Sequence, residues 1–365
     1  MAKRTNTAVW LEKYNRWQIN VQKDGVRRSF TSSTPGRTGQ REANRKADEW
    51  LDENIDSAGK RVAALYDEWI EALKLTTSKS HWSVYEAFGR NWIKSDCGHQ
   101  KIDRLSEQHL QNIIDKAFAA GKAKKTLLDL RACLTAFVKY CRRQKSTTLL
   151  PEFLSIPKGA KDSVKNVLQP EDIKKLFTCD NTFLRGKERY DLYVNAYRFE
   201  VATGLRPGEI IGLEWSDIAS AKVMVQRSIN EYNEVTDGKN HNARRPIALN
   251  AITAAILQAQ VAKLRELGVK SKQVFPNETG EHIKQSAYHK RWDRYREYNG
   301  IGEVSPYELR HTFVSVAKSL PEGLLKMTVG HSKDMDTYGI YSHELDGDAE
   351  LAASILQQTF ADLLK

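Results

Sequence analysis

The sequence predicts a multidomain, mainly α protein with small β-sheets: a three-stranded sheet plus one helix, then a helical bundle, then an α+β domain. Three observations carry this. The chain has 365 residues, more than one ordinary core organises at roughly 100–200 residues per domain. Apolar periodicity switches from strand-like alternation to helical spacing after the Pro35-Gly36 break. Finally, "LLPEFLSIPKGAKDS", with Pro151, Pro157 and Gly159, reads as a linker ahead of a new segment near Val167. The boundaries that follow are 1–57, 58–150, a linker at 151–166, and 167–365.

In the first segment "AVWLEKY", "RWQINVQ" and "VRRSFTSS" are three strands, with "KDG" at Lys23 to Gly25 supplying the turn between the last two. "QREANRKADEWLDE" then spaces Ala43, Ala47, Trp50 and Leu51 for a helix backing the sheet. Trp10 and Trp17 are read as core. Arg27 and Arg28, with Lys23, Arg37, Arg41 and Arg45, form either a solvated face or a sheet that enters a DNA groove.

From Arg61 to Thr148 the pattern is helical. "RVAALYDEWIEALK" aligns Val62, Leu65, Trp69 and Leu73, and "LSEQHLQNIIDKAF" aligns Leu110, Ile113, Ile114 and Ala117 behind a Ser106 N-cap. "TLLDLRACLTAFVKYCRRQ" adds Leu127, Leu130, Leu134, Phe137 and Val138. Between Lys116 and Lys145 lie Lys116, Lys122, Lys124, Lys125, Arg131, Lys139, Arg142, Arg143 and Lys145 against the single acid Asp129. That imbalance favours a phosphate-facing surface over a merely solvated one.

The net charge of +11 argues for a polyanionic partner but does not by itself separate nucleic acid from a membrane surface. No apolar run approaches the ~18 residues of a membrane span, and "MAKRTNTAVW" lacks a signal-peptide core, so a cytoplasmic location is expected. Cys97, Cys133, Cys141 and Cys179 form no C-x-x-C pair. Neither zinc nor disulfides are expected, and no cofactor.

In the last segment "LQPEDIKKLF" carries a helix start with Pro170 at its first position. In "ATGLRPGEIIGLEWSDI", Gly204 and Pro207-Gly208 bracket Arg206 at a turn into a helix containing Ile210, Ile211 and Leu213. An arginine there is well placed to share an anion with free backbone N–H groups. A second arginine, Arg310, lies in "PYELRHTF", and "GHS" at Gly330 to Ser332 precedes Tyr338 and Tyr341.

This ordered set resembles the catalytic domain of the tyrosine recombinases, the phage and conjugative-transposon integrases. Their TGLRxGE…LxWxD box resembles Thr203 to Asp217, their HxLRHTF box Tyr307 to Phe313, and their LGHS…YxH box Val329 to His343. The resemblance covers about 167–345; the earlier segments resemble the arm-binding and core-binding domains in character and order. It implies a site-specific recombinase that cleaves and rejoins double-stranded DNA through a 3′-phosphotyrosine, integrating and excising a mobile element. It also implies core and arm-type DNA sites, a tetramer joined through the C-terminal helix, and an accessory bending or excision factor.

The chemistry agrees. Phosphoryl transfer builds negative charge on non-bridging oxygens, which two forked guanidiniums hold without a metal. Arg206 and Arg310 are the expected pair; the plainer alternative for each is a structural pair with nearby Glu209 or Glu308. By the resemblance, the nucleophile lies nine or ten residues after the box histidine and is followed by a small residue and His. Tyr341, ten after His331 and before Ser342-His343, fits, whereas Tyr338 stands only seven after it and is read as packing. A phenol with a reference pKa near 10 needs cationic help. The absence of a G-x-x-x-x-G-K-[ST] loop suits an energy-conserving phosphotyrosyl bond.

The resemblance places the general acid for the leaving 5′-oxygen on a β-hairpin lysine. "VMVQRSINEYNEVTDGKNHNARRPIAL" supplies strands near Val223 to Ile229 and Arg245 to Leu249, with Lys239 at the turn; Lys222 and a simple exposed lysine stay open. His331 bonds a non-bridging oxygen or is a buried structural histidine. Tyr307 departs from the usual histidine and is a poor base at neutral pH; His311 is read as packing. In the tail, Leu351, Ile355, Leu356, Phe360 and Leu363 make a stripe that folds back on its own domain or is donated to a neighbour. A topoisomerase-like nicking-closing enzyme and a decayed DNA-binding protein are the rival functions.

Overall fold

Apolar burial gathers in three separate clusters along the chain. The computed structural model describes residues 5–23, 26–52, 59–162, 164–236, 244–330 and 347–365, which divide into two compact units, Met1–Ser163 and Val164–Lys365.

The first cluster lies under a small antiparallel sheet of β1 (Val9–Leu11), β2 (Arg16–Lys23) and β3 (Val26–Ser32), in the order β1-β2-β3. Alternation along β2 turns Trp17, Ile19 and Val21 to one face, where α1 (Gly36–Asp52) contributes Ala43, Ala47, Trp50 and Leu51. Directly paired residues share a face. Phe30 opposite Ile19 and Arg28 opposite Val21 therefore join the helix side, while on β2 and β3 the open face is polar, with Gln18, Asn20, Gln22, Arg27, Ser29 and Thr31, and β1 adds the exposed Val9 opposite Gln18. Trp10 and Trp17 pack edge to face at 5.5 Å, half-buried.

The second cluster is built by α2 (Val62–Thr76), α3 (Lys79–Phe88), which runs through one π turn into α4 (Lys94–Cys97), α5 (Glu107–Ala119) and α6 (Lys124–Arg143). Leu65, Leu110, Ile113, Leu130 and Phe137 are fully buried at helical spacing. Ser106 caps α5, its hydroxyl accepting from the His109 N–H at 3.4 Å. The stretch expected as a linker runs extended along this bundle at least to residue 161. Leu154 is buried in the core, Ser155 N–H donates to Gln111 Oε1 at 2.9 Å, and Lys124 N–H to the Lys161 carbonyl at 2.9 Å. Prolines forbid ladder pairing there but not apolar burial.

The second unit comprises α7 (Pro170–Thr178), β4 (Asn181–Leu184), β5 (Lys187–Tyr190), α8 (Val194–Thr203), α9 (Pro207–Ile211), β6 (Ile218–Ala219), β7 (Lys222–Val225), β8 (Ser228–Ile229), β9 (Val235–Thr236) and β10 (Arg245–Ala248). It continues with α10 (Ala251–Glu266), α11 (Gln285–Tyr298), α12 (Pro306–Val316), α13 (Glu322–Val329) and α14 (Asp348–Leu364). α8 is buried all round, packed between α10 and α12. β10 and β6 flank β7 in one antiparallel sheet, while β8 and β9 form a separate ribbon. The single strand expected over Val223 to Ile229 is thus broken. Arg227 donates to Asp217 at 2.6 Å and to the Gly212 carbonyl at 3.3 Å, an anchorage that takes the backbone out of the sheet.

α14 lies on its own domain, against β10, α13 and α7, burying Ala352, Ala353, Leu356 and Phe360. Leu351 is 52% exposed, so the apolar face is rotated by about one residue from the expected stripe. No helix among the described residues is long and apolar enough to cross a membrane.

Candidate active site

α8 ends at Gly204 in the left-handed conformation, φ 67°. A side chain there would be strained, and its Cβ would come within 2.3 Å of the Phe313 ring. The turn makes Arg206 the N-cap of the single-turn helix α9, with Pro207 at its first position. Arg206 N–H donates to Glu209 Oε2 at 2.9 Å, and its guanidinium donates to Glu209 Oε1 at 2.8 Å and to the Gly330 carbonyl at 3.4 Å.

Arg310 comes from α12. There Glu308 serves as a cap, accepting from Ser305 N–H and Oγ–H and from Asn166 N–H. The alternative of an Arg310–Glu308 pair is therefore not what the fold adopts. Arg310 is instead 2% exposed and donates to the Gly204 carbonyl at 2.7 Å and the Val329 carbonyl at 2.6 Å. Two guanidiniums separated by a hundred residues of chain thus converge on consecutive carbonyls at the end of α13.

A third arginine joins them. Arg245, at the start of β10, donates Nε–H to the Thr328 carbonyl at 2.8 Å and forks onto Glu209, Nη1 to Oε1 at 3.2 Å and Nη2 to Oε2 at 3.0 Å. Residues 328, 329 and 330 are each held by a different arginine. These are carbonyls that the end of a helix leaves in need of donors, at the pole that favours cations. Sequence reasoning used Arg245 only as a strand boundary. The missed signal was a charged residue opening an apolar strand that pairs with the buried Val223 and Val225.

Burial by itself raises Glu209, but Arg245 and Arg206 outweigh it and hold the carboxyl below its usual range. Arg310 is pushed down to about 10, first by burial and then by the neighbouring charge of Arg206. Behind it Glu200, fully buried and accepting from Tyr288 Oη–H at 2.8 Å, is raised well above the carboxylate range by burial and adds little negative charge. Three guanidiniums around one ionised carboxylate leave a buried positive excess, an arrangement that calls for an anion.

Tyr307 lies in the first turn of α12, 44% exposed, its ring edge-on to His311 at 5.4 Å. His311 is lowered by burial and by Lys165. Lys222 is ion-paired with Glu350 of α14 at 2.6 Å. Lys239, His331 and Tyr341 lie outside the described residues. Their attachment points do not: β10 follows the segment that holds Lys239, and Gly330, left-handed at φ 63°, closes α13 directly before His331.

The sequence profile of the phage integrase family matches residues 166–347, and that of the phage integrase N-terminal SAM-like domain matches residues 62–118. The chain belongs to the phage integrase family. This makes it a tyrosine-type site-specific recombinase. It is 24% identical to a tyrosine recombinase XerC-like protein of Caldanaerobacter subterraneus subsp. tengcongensis, over 99% of this chain and all of the relative. It is 25% identical to tyrosine recombinase XerC of Corynebacterium glutamicum, over 78% of this chain and 89% of that one. The fold is similar to that of the Tn1549 transposon integrase in complex with a circular intermediate DNA, with TM-score 0.64 and 19% identity over 81% of this chain and 99% of that one. It is also similar to a lambda integrase tetramer bound to a Holliday junction, with TM-score 0.60 and 14% identity over 94% of this chain and 99% of that one.

The recombinase's other expected contact residues divide by environment. Arg27 lies on the open polar face of the sheet, whereas Arg28 lies on the helix side with its guanidinium 5.7 Å from the Trp50 ring. In the bundle Lys124 pairs with Asp162 at 3.2 Å, Lys125 with Asp129 at 2.8 Å, and Arg131 donates to the Leu154 carbonyl at 3.5 Å. Lys122, Arg142 and Arg143 are exposed with no side-chain partner among the described residues. A recess of about 1100 Å³ lined by Phe183, Arg189, Arg291 and Tyr298 shares no residue with the arginine cluster. Among the described residues no His, Cys, Asp or Glu cluster is arranged to hold a metal.

Proposed function

We propose that this recombinase cuts DNA by attack of the Tyr341 phenol oxygen on a phosphodiester held by Arg206 and Arg310. The phenolic proton passes to solvent, the P–O5′ bond breaks, a 3′-phosphotyrosine forms, and the 5′-oxygen leaves as a hydroxyl with a proton from Lys239, which solvent then restores; His331 bonds a non-bridging oxygen. The observation that carries this reading is the convergence of Arg206 and Arg310 on the helix end that leads straight into His331. The buried positive excess supplies the preorganised field that such a transition state needs. Tyr307 occupies the usual histidine place and offers a hydrogen bond in place of a base. The pairing of Lys222 with Glu350 supports Lys239 over Lys222 as the acid.

The partner is double-stranded DNA, met by the open face with Arg27 and by Lys122, Arg142 and Arg143, with Arg28, Lys124, Lys125 and Arg131 alongside. Working assemblies are homo-oligomers, with a tetramer joined through the C-terminal helix and an accessory bending or excision factor, integrating and excising a mobile element. The tetrameric state of the similar lambda integrase on a Holliday junction supports this. Donation of α14 requires Leu356 and Phe360 to leave the pocket they fill in the single chain.

The test uses a nicked duplex selected from a random-sequence pool by binding to the full chain. A covalent protein–DNA adduct without magnesium is expected. Tyr341→Phe abolishes it and Tyr338→Phe does not; an adduct that survives Tyr341→Phe defeats the assignment. Two distinguishable duplexes in one reaction separate strand exchange from simple resealing.

A further inference from the structure

We infer that the recess between the β4–β5 hairpin and α11 is a second nucleic-acid site of this recombinase, one that takes an unpaired strand and not a duplex. It lies at the far end of α8 from the arginine cluster. Asp191, ion-paired with the recess residue Arg291, precedes α8, whereas Gly204 closes it. Ten residues of helix at ~1.5 Å each put about 15 Å between the two. The residues of the recess take no part in the cleavage proposed above.

Along α11, Arg291, Arg294 and Tyr298 share one face at spacings of three and four. Arg291 is already balanced, its guanidinium donating to Glu278 at 2.9 Å and lying 3.6 Å from Asp191. Arg185, Arg189 and Arg294 are exposed and have no side-chain partner among the described residues. The other acid of the rim, Glu297, is paired with Arg296 at 3.8 Å. Arg185 and Gly186 make the two-residue turn of the hairpin, left-handed at φ 53° and 76°. Asn, Asp or Gly takes such a turn at less cost, so the turn itself does not call for an arginine.

Charge alone would suit any polyanion, and the rings narrow the choice. Phe183 and Tyr298 lie nearly parallel, 22° apart in plane with centroids at 6.1 Å, and are 48% and 43% exposed. A duplex stacks its bases on one another, and an acidic peptide brings carboxylates; neither supplies these rings with a flat partner. An unpaired base of any kind does. Three unneutralised guanidiniums beside two open rings combine the charge that tracks a phosphate backbone with the surface on which bases stack.

The experiment measures, by fluorescence anisotropy, the affinity of the full chain for an oligothymidylate of about ten nucleotides and for the selected duplex. Salt is held at about 0.15 M, where scattered surface charge is screened. Phe183→Leu with Tyr298→Leu keeps apolar bulk and removes both π faces. Strand affinity is then expected to fall about tenfold, while duplex affinity stays within about twofold of wild type and shows the fold intact. Arg185→Ala with Arg189→Ala is expected to flatten the salt slope of strand binding by about 1.4, at ~0.7 per contact in a single strand. Ultraviolet cross-links from the bound strand are expected in the peptides that carry Phe183 and Tyr298. Strand affinity unchanged by the leucine pair, equal losses of strand and duplex, or cross-links only elsewhere overturn the inference. Polyglutamate displacing the strand as readily as unlabelled oligothymidylate would assign the recess to an acidic protein instead. Thymidine monophosphate doing so at equal nucleotide concentration would assign it to a free nucleotide, and either result also overturns it.

Discussion

The basic face of the helical bundle and the arginine cluster of the second unit are both cationic, and they are built on opposite principles. In the bundle the charges stand on exposed side chains, and Lys124 and Lys125 already neutralise acids of their own chain. Each such pair is worth ~0–1 kcal/mol and is screened by salt. In the second unit Arg245 and Arg310 are nearly inaccessible and are held by backbone carbonyls in one geometry. In the function proposed above, the first arrangement gathers an extended polyanion from solution and the second holds a single phosphate. A count of basic residues does not tell them apart, because the difference lies in burial and in what the donors are tied to.

The sharpest way to break this contrast is Arg310→Lys, which keeps the charge and loses the fork. Single-turnover adduct formation is expected to drop ~10²–10³-fold, the scale for losing one oxyanion donor, while filter-binding affinity changes only a few-fold. Comparable losses in both would erase the distinction between holding DNA and holding the phosphate.

Next in size is Arg142→Ala with Arg143→Ala. If both meet phosphates, the slope of log affinity against log salt should flatten by about 1.8, at ~0.9 per contact. Adduct formation at saturating DNA should be unchanged, and an unaltered slope would remove this end of α6 from the DNA face.

A smaller effect is expected from an anion alone. Millimolar sulfate, at matched ionic strength in chloride, should raise the melting temperature of the wild-type chain by a few degrees and of Arg310→Gln by less. A melting shift that ignores the substitution would argue against an anion site. Smallest of all, Lys125→Ala should alter stability by about 0.5 kcal/mol or less, and a larger change in chemical denaturation would show that this pair is structural.

Local rules accounted for much of the fold. Pro170, Ser106 and the Pro35-Gly36 break located helix starts within a few residues, and Gly204 with Pro207 located the turn that presents Arg206. What escaped was set by partners distant in sequence. Arg227 breaks a strand because Asp217 is there to receive it, Leu154 leaves a linker because the bundle offers a pocket, and Arg27 and Arg28 part company because one faces the helix. Tyr307 was legible as a departure, and its half-exposed place beside His311 became visible only in the fold.

By itself the order of residues determined the succession of sheet, bundle and α+β segments and the turn that presents the first of the two boxed arginines, because each depends on neighbours along the chain. Tertiary structure alone decided that Arg206 and Arg310 share one helix end, that Glu209 and not Glu308 balances the site, and that Arg245 belongs to it. Those outcomes depend on which donors and acceptors burial leaves facing one another once water is gone, and no local pattern records that.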